Sequence, residues 1–287
     1  MSTHPKASVI IVNYNSTEHL NRLIRSLSVI QKIIKEIIVV DNNSFELKKL
    51  KQQKQIKLIK NKNNLGFAKA VNQGIKQSKS KFIILLNPDT LLENDSIIES
   101  FSYLIKNPDV GVIGGRIKKM YKNSYQYTAT NKPSFLTALF EFTNLKKIFP
   151  NNKISKKFWV ETNNNLKEPT EVSSLCGAYI IFRKRNHKTF NYFDENYFLY
   201  LEDLDFCLTL KNKGYKIIFD PRSSINHISG ASSNSKYHIV LKYWYISRKY
   251  FFRKYFPKPV GYFLNFIFYI EELFLQIYHY IKHEPWE

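Results

Sequence analysis

Five carboxylates, Asp194, Glu195, Glu202, Asp203 and Asp205, fall within twelve residues of a chain whose formal net charge is +21. Phe198, Leu199, Leu201, Leu204 and Phe206 are interleaved with them. A carboxylate in apolar surroundings is costly unless it is paired, hydrogen-bonded or bound to metal. Residues 193–221 therefore form a candidate chemical site. A carboxylate held there can take the proton of an attacking hydroxyl. With Glu202 beside Asp203, like-charge repulsion raises the pKa of one partner. The bland counterpart is a helix over residues 203–212 with an acidic first turn favoured by the helix dipole and a stop at Gly214. Both readings stand on these residues alone.

Other polar residues sit at the ends of apolar runs. The strand 81–86 runs into Asn87-Pro88-Asp89, where proline ends the ladder and turns Asp89 outward. A carboxylate there suits a hard cation carrying a nucleotide diphosphate; a plain turn Asp is the alternative. The strand 36–40 ends on Asp41-Asn42-Asn43-Ser44. Gly66 opens a helix of small residues, so its first amides can approach an anion closely, or the glycine only shapes a turn.

The elements that position these residues read as α/β. Residues 8–13 (SVIIVN) are a continuous β-branched run of the kind buried on both sheet faces. A helix over 18–30, capped by Ser16 or Thr17, leads to the strand 36–40, a right-handed crossover unit. Further strands are expected at 56–59, 110–115, 174–184 and 215–219, the last closed by Asp220-Pro221, and a helix at 95–105. The lysine-rich stretch 45–62 reads as a solvated helix face. Residues 116–170 are polar and read as a long excursion over an acceptor site, or as a poorly ordered insert.

The 287 residues can form one large domain, or one domain with an appendage. Cys176 and Cys207 give no disulfide framework and read as small buried thiols in a reducing compartment. No signal peptide is read at the start. Strong positive charge favours anionic partners. Residues 236–258 are basic and aromatic without an acid, and 261–281 are apolar but include Glu271 and Glu272. The adjacent glutamates argue against a lipid-spanning helix. A membrane surface suits this tail; helices packed on the domain, or forming an oligomer interface, are the competing reading. A nucleic-acid-binding protein is the alternative class, raised by charge and the basic aromatic tail. It is countered by the absence of a recognised module and by the acidic cluster.

Taken in order, SVIIVNYN, VVDNNS, NNLGFAKAVNQGI, FIILLNPDT, CGAYIIFRK, FDENYFLYLEDLDFCLTLKNKGYKIIFDP and NH resemble family 2 glycosyltransferases. The closest likeness is to the rhamnosyltransferase-like and galactofuranosyltransferase-like branch that builds bacterial surface polysaccharides. It covers residues 8–230. The resemblance implies a GT-A fold (Rossmann-like, with a mostly parallel central sheet) and a C-terminal helical appendage. It divides the chain into a glycosyltransferase domain at 1–235 and a tail at 236–287. Within the domain, 1–115 would bind nucleotide-sugar and 116–235 the acceptor.

The resemblance further implies that Asn13, Tyr14, Asn15, Asp41 and Asn43 contact the nucleoside. Gly66 and Asn72 would stand beside the donor, and Asn87 and Asp89 where the family carries Asp-x-Asp. Asn87 replaces the first carboxylate, leaving Asp89 as a ligand of Mg²⁺ or Mn²⁺, with His227 as a second. Asp203 would be the catalytic base with Glu202 beside it, and Asp205 an orienting or capping residue. An inverting, metal-dependent transfer follows, from a dTDP-sugar (rhamnose first) or a UDP-sugar to a glycan or lipid-linked acceptor. The implied location is cytoplasmic, peripheral on the inner membrane face, with no nucleic acid and with a homo-oligomer through the C-terminal helices left open. Intact Asp89, Asp203 and His227 argue against an inactive relative.

Overall fold

The computed structural model describes residues 5–51, 55–121, 124–160, 166–184, 192–228 and 237–281. The chain opens as β1 (Ala7–Asn13), α1 (Thr17–Ser26), β2 (Ile34–Asp41), β3 (Ile56–Lys60), α2 (Phe67–Gln77) and β4 (Phe82–Leu86). Every residue of β1 and β4 is buried, as continuous apolar runs demand of strands covered on both faces. These four strands pair in parallel in the order β3–β2–β1–β4. Next come β5 (Thr90–Leu91), α3 (Ile97–Lys106) and β6 (Val110–Lys119). The chain then forms β7 (Tyr125–Gln126), β8 (Ala129–Thr130), α4 (Phe135–Phe142), α5 (Leu145–Ile148), α6 (Lys153–Phe158), β9 (Thr170–Val172) and β10 (Ser174–Leu175). The last elements are β11 (Tyr179–Arg183), α7 (Glu202–Asn212), β12 (Lys216–His227), α8 (Tyr237–Tyr255) and α9 (Lys258–Ile281).

β11 enters antiparallel between β4 and β6, β12 lies parallel to β6, and β5 pairs with the far end of β12. One sheet face packs on α1 and α3 through Leu20, Leu23, Ile97 and Phe101. The other packs on α2 and α7 through Val71, Ile75, Phe206 and Leu210. Cys176 and Cys207 form no disulfide, and burial pushes the Cys207 thiol up to about 12.

Several expectations change. Among the described residues of 45–62, a short 3₁₀ turn, Leu47–Lys49, is the only helical element before β3. Asn21 of α1 grips it by donating to the Lys49 carbonyl and accepting from the Lys51 amide, and the Lys48, Lys49 and Lys51 side chains are exposed. Ser16 occupies the N-cap of α1, but its hydroxyl donates to the Tyr14 carbonyl, and Thr17 accepts from Asn13 instead. β12 does not stop at Asp220-Pro221. It shifts register between Asp220 and Ser224 and runs on to His227. The buried Asp220 stabilises that irregularity by accepting from Ser100 and Arg222. The excursion is ordered over its described residues, and Ser134 and Asn152 cap α4 and α6. The divide expected at residue 115 lies within β6, and residue 235 lies outside the described residues.

The tail folds back as a helical hairpin. Phe251 and Phe252 of α8 and Leu264 and Phe268 of α9 are fully buried against α4, α6 and α7. Arg248, 1 % exposed, is paired with Glu271 at 2.6 Å and Glu272 at 3.2 Å, and Lys249 with Glu272 at 2.8 Å. The two glutamates thus face α8. By length and composition alone, Lys258–Ile277 could cross a membrane, at a mean hydropathy of 1.3.

Candidate active site

The carboxyl ends of β1 and β2 carry a polar knot. Asn13 donates from Nδ2 to Asp41 Oδ1 at 2.7 Å and to Ser44 Oγ at 3.0 Å. The Ser44 amide donates to Asp41 Oδ2 at 3.0 Å, so both oxygens of this buried carboxylate are engaged. Asn15 and Asn43 take left-handed backbone conformations, φ 51° and 66°, which asparagine tolerates. The Asn15 amide donates to Ser44 Oγ and its side chain accepts from Phe45. Asn13, Asn15, Asp41 and Asn43 therefore shape the two loops from behind.

In front of that knot lies a cavity of about 270 Å³ whose wall includes Tyr14, Asn42, Gly66, Asn87, Asp89 and Tyr243. It sits beyond the carboxyl ends of the parallel strands, where open α/β sheets bind ligands. Gly66 caps α2 at φ 85°. The first amide of α2, that of Phe67, donates to the Phe198 carbonyl at 2.7 Å. The helix start therefore holds the 198 turn instead of leaving that amide for an anion. Asn72 stands away from this cavity and brackets the acidic stretch, donating to the Phe193 carbonyl at 2.7 Å and accepting from its amide at 3.0 Å.

Asp89 and His227 are brought together by the antiparallel pairing of β5 with β12, in which His227 faces Thr90. Asp89 Oδ1 stands 3.1 Å from His227 Nε2. That contact lacks hydrogen-bond alignment, and both imidazole nitrogens and Asn87 Oδ1 are buried with no partner among the described residues. Two cis ligands of an octahedral ion with ~2.1 Å bonds lie about 3 Å apart. The Asp89–His227 separation and the unpartnered imidazole fit a shared divalent cation. No cluster of three or more such ligands occurs among the described residues.

The acidic cluster sits across a turn. Tyr200 and Leu201 are left-handed at φ 72° and 66°, strain of the kind that functional sites retain. Leu201 is the N-cap of α7 and makes no side-chain cap. Asp203 lines a second cavity of about 290 Å³ together with Tyr127, Glu141, Trp159 and Trp244. Its Oδ2 accepts from the Gly177 amide at 2.8 Å and its Oδ1 from that of Leu204 at 2.7 Å. A Cβ on Gly177 would stand 3.2 Å from that of Asp203, so glycine permits the approach. Burial raises the Asp203 pKa, against these two amides. Glu202 lines neither cavity, and its Oε2 is buried with no partner among the described residues. Burial, then the charge of Asp203, holds it well above the usual carboxylate range. Asp205 points to the tail and accepts from Tyr197 at 3.2 Å and Lys254 at 2.7 Å. It fastens α7 to α8 and caps nothing.

The two cavities share a partition. Phe198, Leu199 and Tyr200 line the first and Leu201, Asp203 and Leu204 the second; Tyr243 faces one and its neighbour Trp244 the other. Phe198 stacks on Tyr243 at 3.9 Å. Sequence reasoning gave no site role to Asn42, Phe198, Tyr243, Glu141 and Trp159; it placed Asn42 only in a polar strand end, Phe198 only among the apolar residues of the acidic stretch, and Tyr243 only in the aromatic tail.

Comparison with known proteins gives a consistent family. The family described as "Glycosyl transferase family 2" matches residues 8–190. The N-acetylglucosaminyl-diphospho-decaprenol L-rhamnosyltransferase of Mycobacterium tuberculosis is 24 % identical over 76 % of this chain and 75 % of its own length. Rhamnosyltransferase WbbL of Escherichia coli is 21 % identical over 84 % of this chain and 92 % of its own. GalNAc-T7, solved with UDP, GalNAc and Mn²⁺, superposes with a TM-score of 0.60 at 16 % identity, covering 99 % of this chain and 59 % of that one. A Pyrobaculum calidifontis mannosyltransferase, solved with GDP-Man and Mn²⁺, gives 0.55 at 13 % identity over 92 % and 70 %. The fold is GT-A.

Proposed function

The chain belongs to glycosyl transferase family 2, and we propose that it passes a sugar from a nucleotide-diphospho-sugar to a hydroxyl of a glycan or lipid-linked acceptor, with inversion. The donor lies in the cavity of Tyr14, Gly66, Asn87 and Asp89, and the acceptor in that of Asp203. The observation that carries this reading is the shared partition, with the Asp89–His227 pair on one side and the half-buried Asp203 carboxylate on the other. The acceptor oxygen bonds to the anomeric carbon as that carbon's bond to the diphosphate oxygen breaks. The bonding pair leaves with the nucleoside diphosphate, and the hydroxyl proton passes to Asp203.

Asp203 suits this work because burial raises its basicity while the Gly177 and Leu204 amides hold its orientation. Burial, then the charge of Asp203, favours the protonated form of Glu202 relative to a free carboxylate. Asp89 and His227 would hold Mg²⁺ or Mn²⁺, whose charge when bound favours the departing diphosphate. Asn13, Asn15, Asp41 and Asn43 support the nucleoside end. Relatives named rhamnosyltransferases support rhamnose as the transferred sugar; the donor in this reading is dTDP-rhamnose first and a UDP-sugar second, in cell-surface polysaccharide synthesis.

The site operates at the inner face of the membrane. Tyr262, Phe263, Phe266, Tyr269, Phe274 and Ile277 expose one apolar, aromatic-rich face of α9, in a chain of net charge +21. That combination favours an anionic lipid surface. Asp203→Asn tests the assignment of the base. Transfer falls by at least about 10²-fold while nucleotide-sugar binding, read by calorimetry, persists. Transfer near the wild-type rate would remove Asp203 from the mechanism.

A further inference from the structure

Inside the second cavity, the polar atoms and the rings are arranged for more than exposing Asp203. Glu141, on α4, has a side chain only 2 % exposed. Its Oε2 is fully engaged, accepting from Trp159 Nε1 at 2.9 Å and pairing with Lys146 at 2.6 Å. Its Oε1 is buried with no partner among the described residues, and so is Thr130 Oγ1. Both residues line the Asp203 cavity. A buried carboxylate oxygen without a donor costs stability, so it calls for a partner that a bound ligand can supply. Beside these atoms, the Tyr127 and Trp159 rings are stacked at 5.6 Å, and Lys146 lies 5.4 Å from the Trp159 ring centre. The ion pair and the indole hydrogen bond lock the Trp159 ring in place.

We propose that this is a recognition subsite for one uncharged pyranose unit of the acceptor, with Glu141 and Thr130 reading its hydroxyl or amide protons and Trp159 and Tyr127 meeting its C–H face. The inference rests on the reading of Asp203 as the base at the acceptor cavity. Sugars combine apolar C–H faces with hydroxyl edges, and the cavity offers aromatic surface next to unmet polar atoms, as small-molecule sites do. The charge of the ligand follows from the lining. Glu141 and Asp203 share one cavity, and Lys146 is already spent on Glu141. A uronic acid or phosphorylated sugar would add a third negative group there. The described residues of the excursion that supplies Glu141 and Trp159 do not line the donor cavity. It is therefore a specificity element for the acceptor alone.

The test is saturation-transfer NMR on the full chain with an equimolar mixture of methyl glucoside, galactoside, mannoside, rhamnoside, N-acetylglucosaminide and glucuronide. At least one uncharged glycoside receives saturation at its ring protons, and the glucuronide receives none. Glu141→Ala and Thr130→Val each lower that saturation at least threefold; Thr130→Val keeps the side-chain volume and guards against simple misfolding. A parallel titration of the same samples with dTDP- and UDP-sugars leaves donor affinity within twofold of wild type. The proposal is overturned if no uncharged glycoside is saturated, if the glucuronide is preferred, or if both variants keep the wild-type pattern. Wild type that binds a nucleotide-sugar but no glycoside refutes this subsite alone. Wild type that binds no nucleotide-sugar refutes the transferase reading instead.

Discussion

Gly66→Ala puts the geometry of the proposed donor cavity to a quantitative trial. Gly66 sits at φ 85° and ψ 169°, a region that side-chain-bearing residues avoid. An added Cβ would lie 2.6 Å from the Phe198 carbonyl oxygen and 2.9 Å from its Cα. Holding alanine in that conformation costs about 1–3 kcal/mol. Displacing Phe198 breaks its 2.7 Å hydrogen bond from Phe67, a further loss of about 1 kcal/mol. The expected destabilisation is about 2–4 kcal/mol, or a melting temperature about 4–16 °C lower. The functional loss follows the same contact. Phe198 carries the ring that stacks on Tyr243, and the chain runs from it through Tyr200 and Leu201 to Asp203. Nucleotide-sugar affinity therefore falls, and transfer falls further than affinity. Gly214→Ala is the control. Its φ is 84°, but an added Cβ meets nothing within 4 Å. It loses backbone strain energy alone, about 1 kcal/mol, and leaves the donor site untouched. Thermal denaturation and nucleotide-sugar calorimetry on both variants decide the matter. Equal stability losses with unchanged donor affinity in both would refute the role given to the Gly66–Phe198 contact.

Three further outcomes are expected. Asp89→Ala and His227→Ala each weaken Mn²⁺-dependent nucleotide binding while leaving metal-free binding within twofold; equal binding with and without Mn²⁺ in wild type would dismiss the cation pair. Glu202→Gln changes the pH dependence of stability. A raised folded-state pKa gives stability that is intact below the unfolded value, near 4.3, and lost as pH rises through the folded value, by up to about 1.36 kcal/mol per unit. The variant therefore gains on wild type as pH rises from about 5, and parallel denaturation curves would contradict the buried, raised carboxylate. Finally, wild type floats with phosphatidylglycerol vesicles at low salt, and a Phe266→Ser, Phe274→Ser double variant does not. Equal flotation, or dimers by sedimentation that the double variant abolishes, would assign the α9 face elsewhere.

The parallel core was legible because β1, β2 and β4 are short runs of buried β-branched and aliphatic residues bounded by polar ends. Their polar ends announce the ligand edge for the same reason. The approach of His227 to Asp89 depends on β12 continuing past Pro221, and the local rule that proline ends a ladder hid that continuation. Asn72 is a donor-side residue by resemblance alone; its amide instead satisfies the Phe193 backbone, a partner 121 residues away that no window could reveal. Glu141 and Trp159 carry no motif. They meet only because two short capped helices fold over β8. The tail offered a choice between membrane and packing, and each face of α9 answers differently: Leu264 and Phe268 are buried, whereas Phe266 and Phe274 are exposed.

The partition of Phe198–Leu204 and Tyr243–Trp244 has a consequence for how such a chain can diversify. Among the described residues, the carboxyl ends of β1, β2 and β4 line only the first cavity, and the excursion 116–170 lines only the second. Substitutions that retune one ligand therefore leave the other's contacts alone, and the two specificities are free to drift separately. The strip between them has no such freedom. It is held at once by α2 through Phe67, by β11's approach through Gly177 and by α8 through Tyr243, so a change there is felt on both sides. Exchanging residues 116–170 between relatives is the graft that would transplant an acceptor preference onto an unaltered donor.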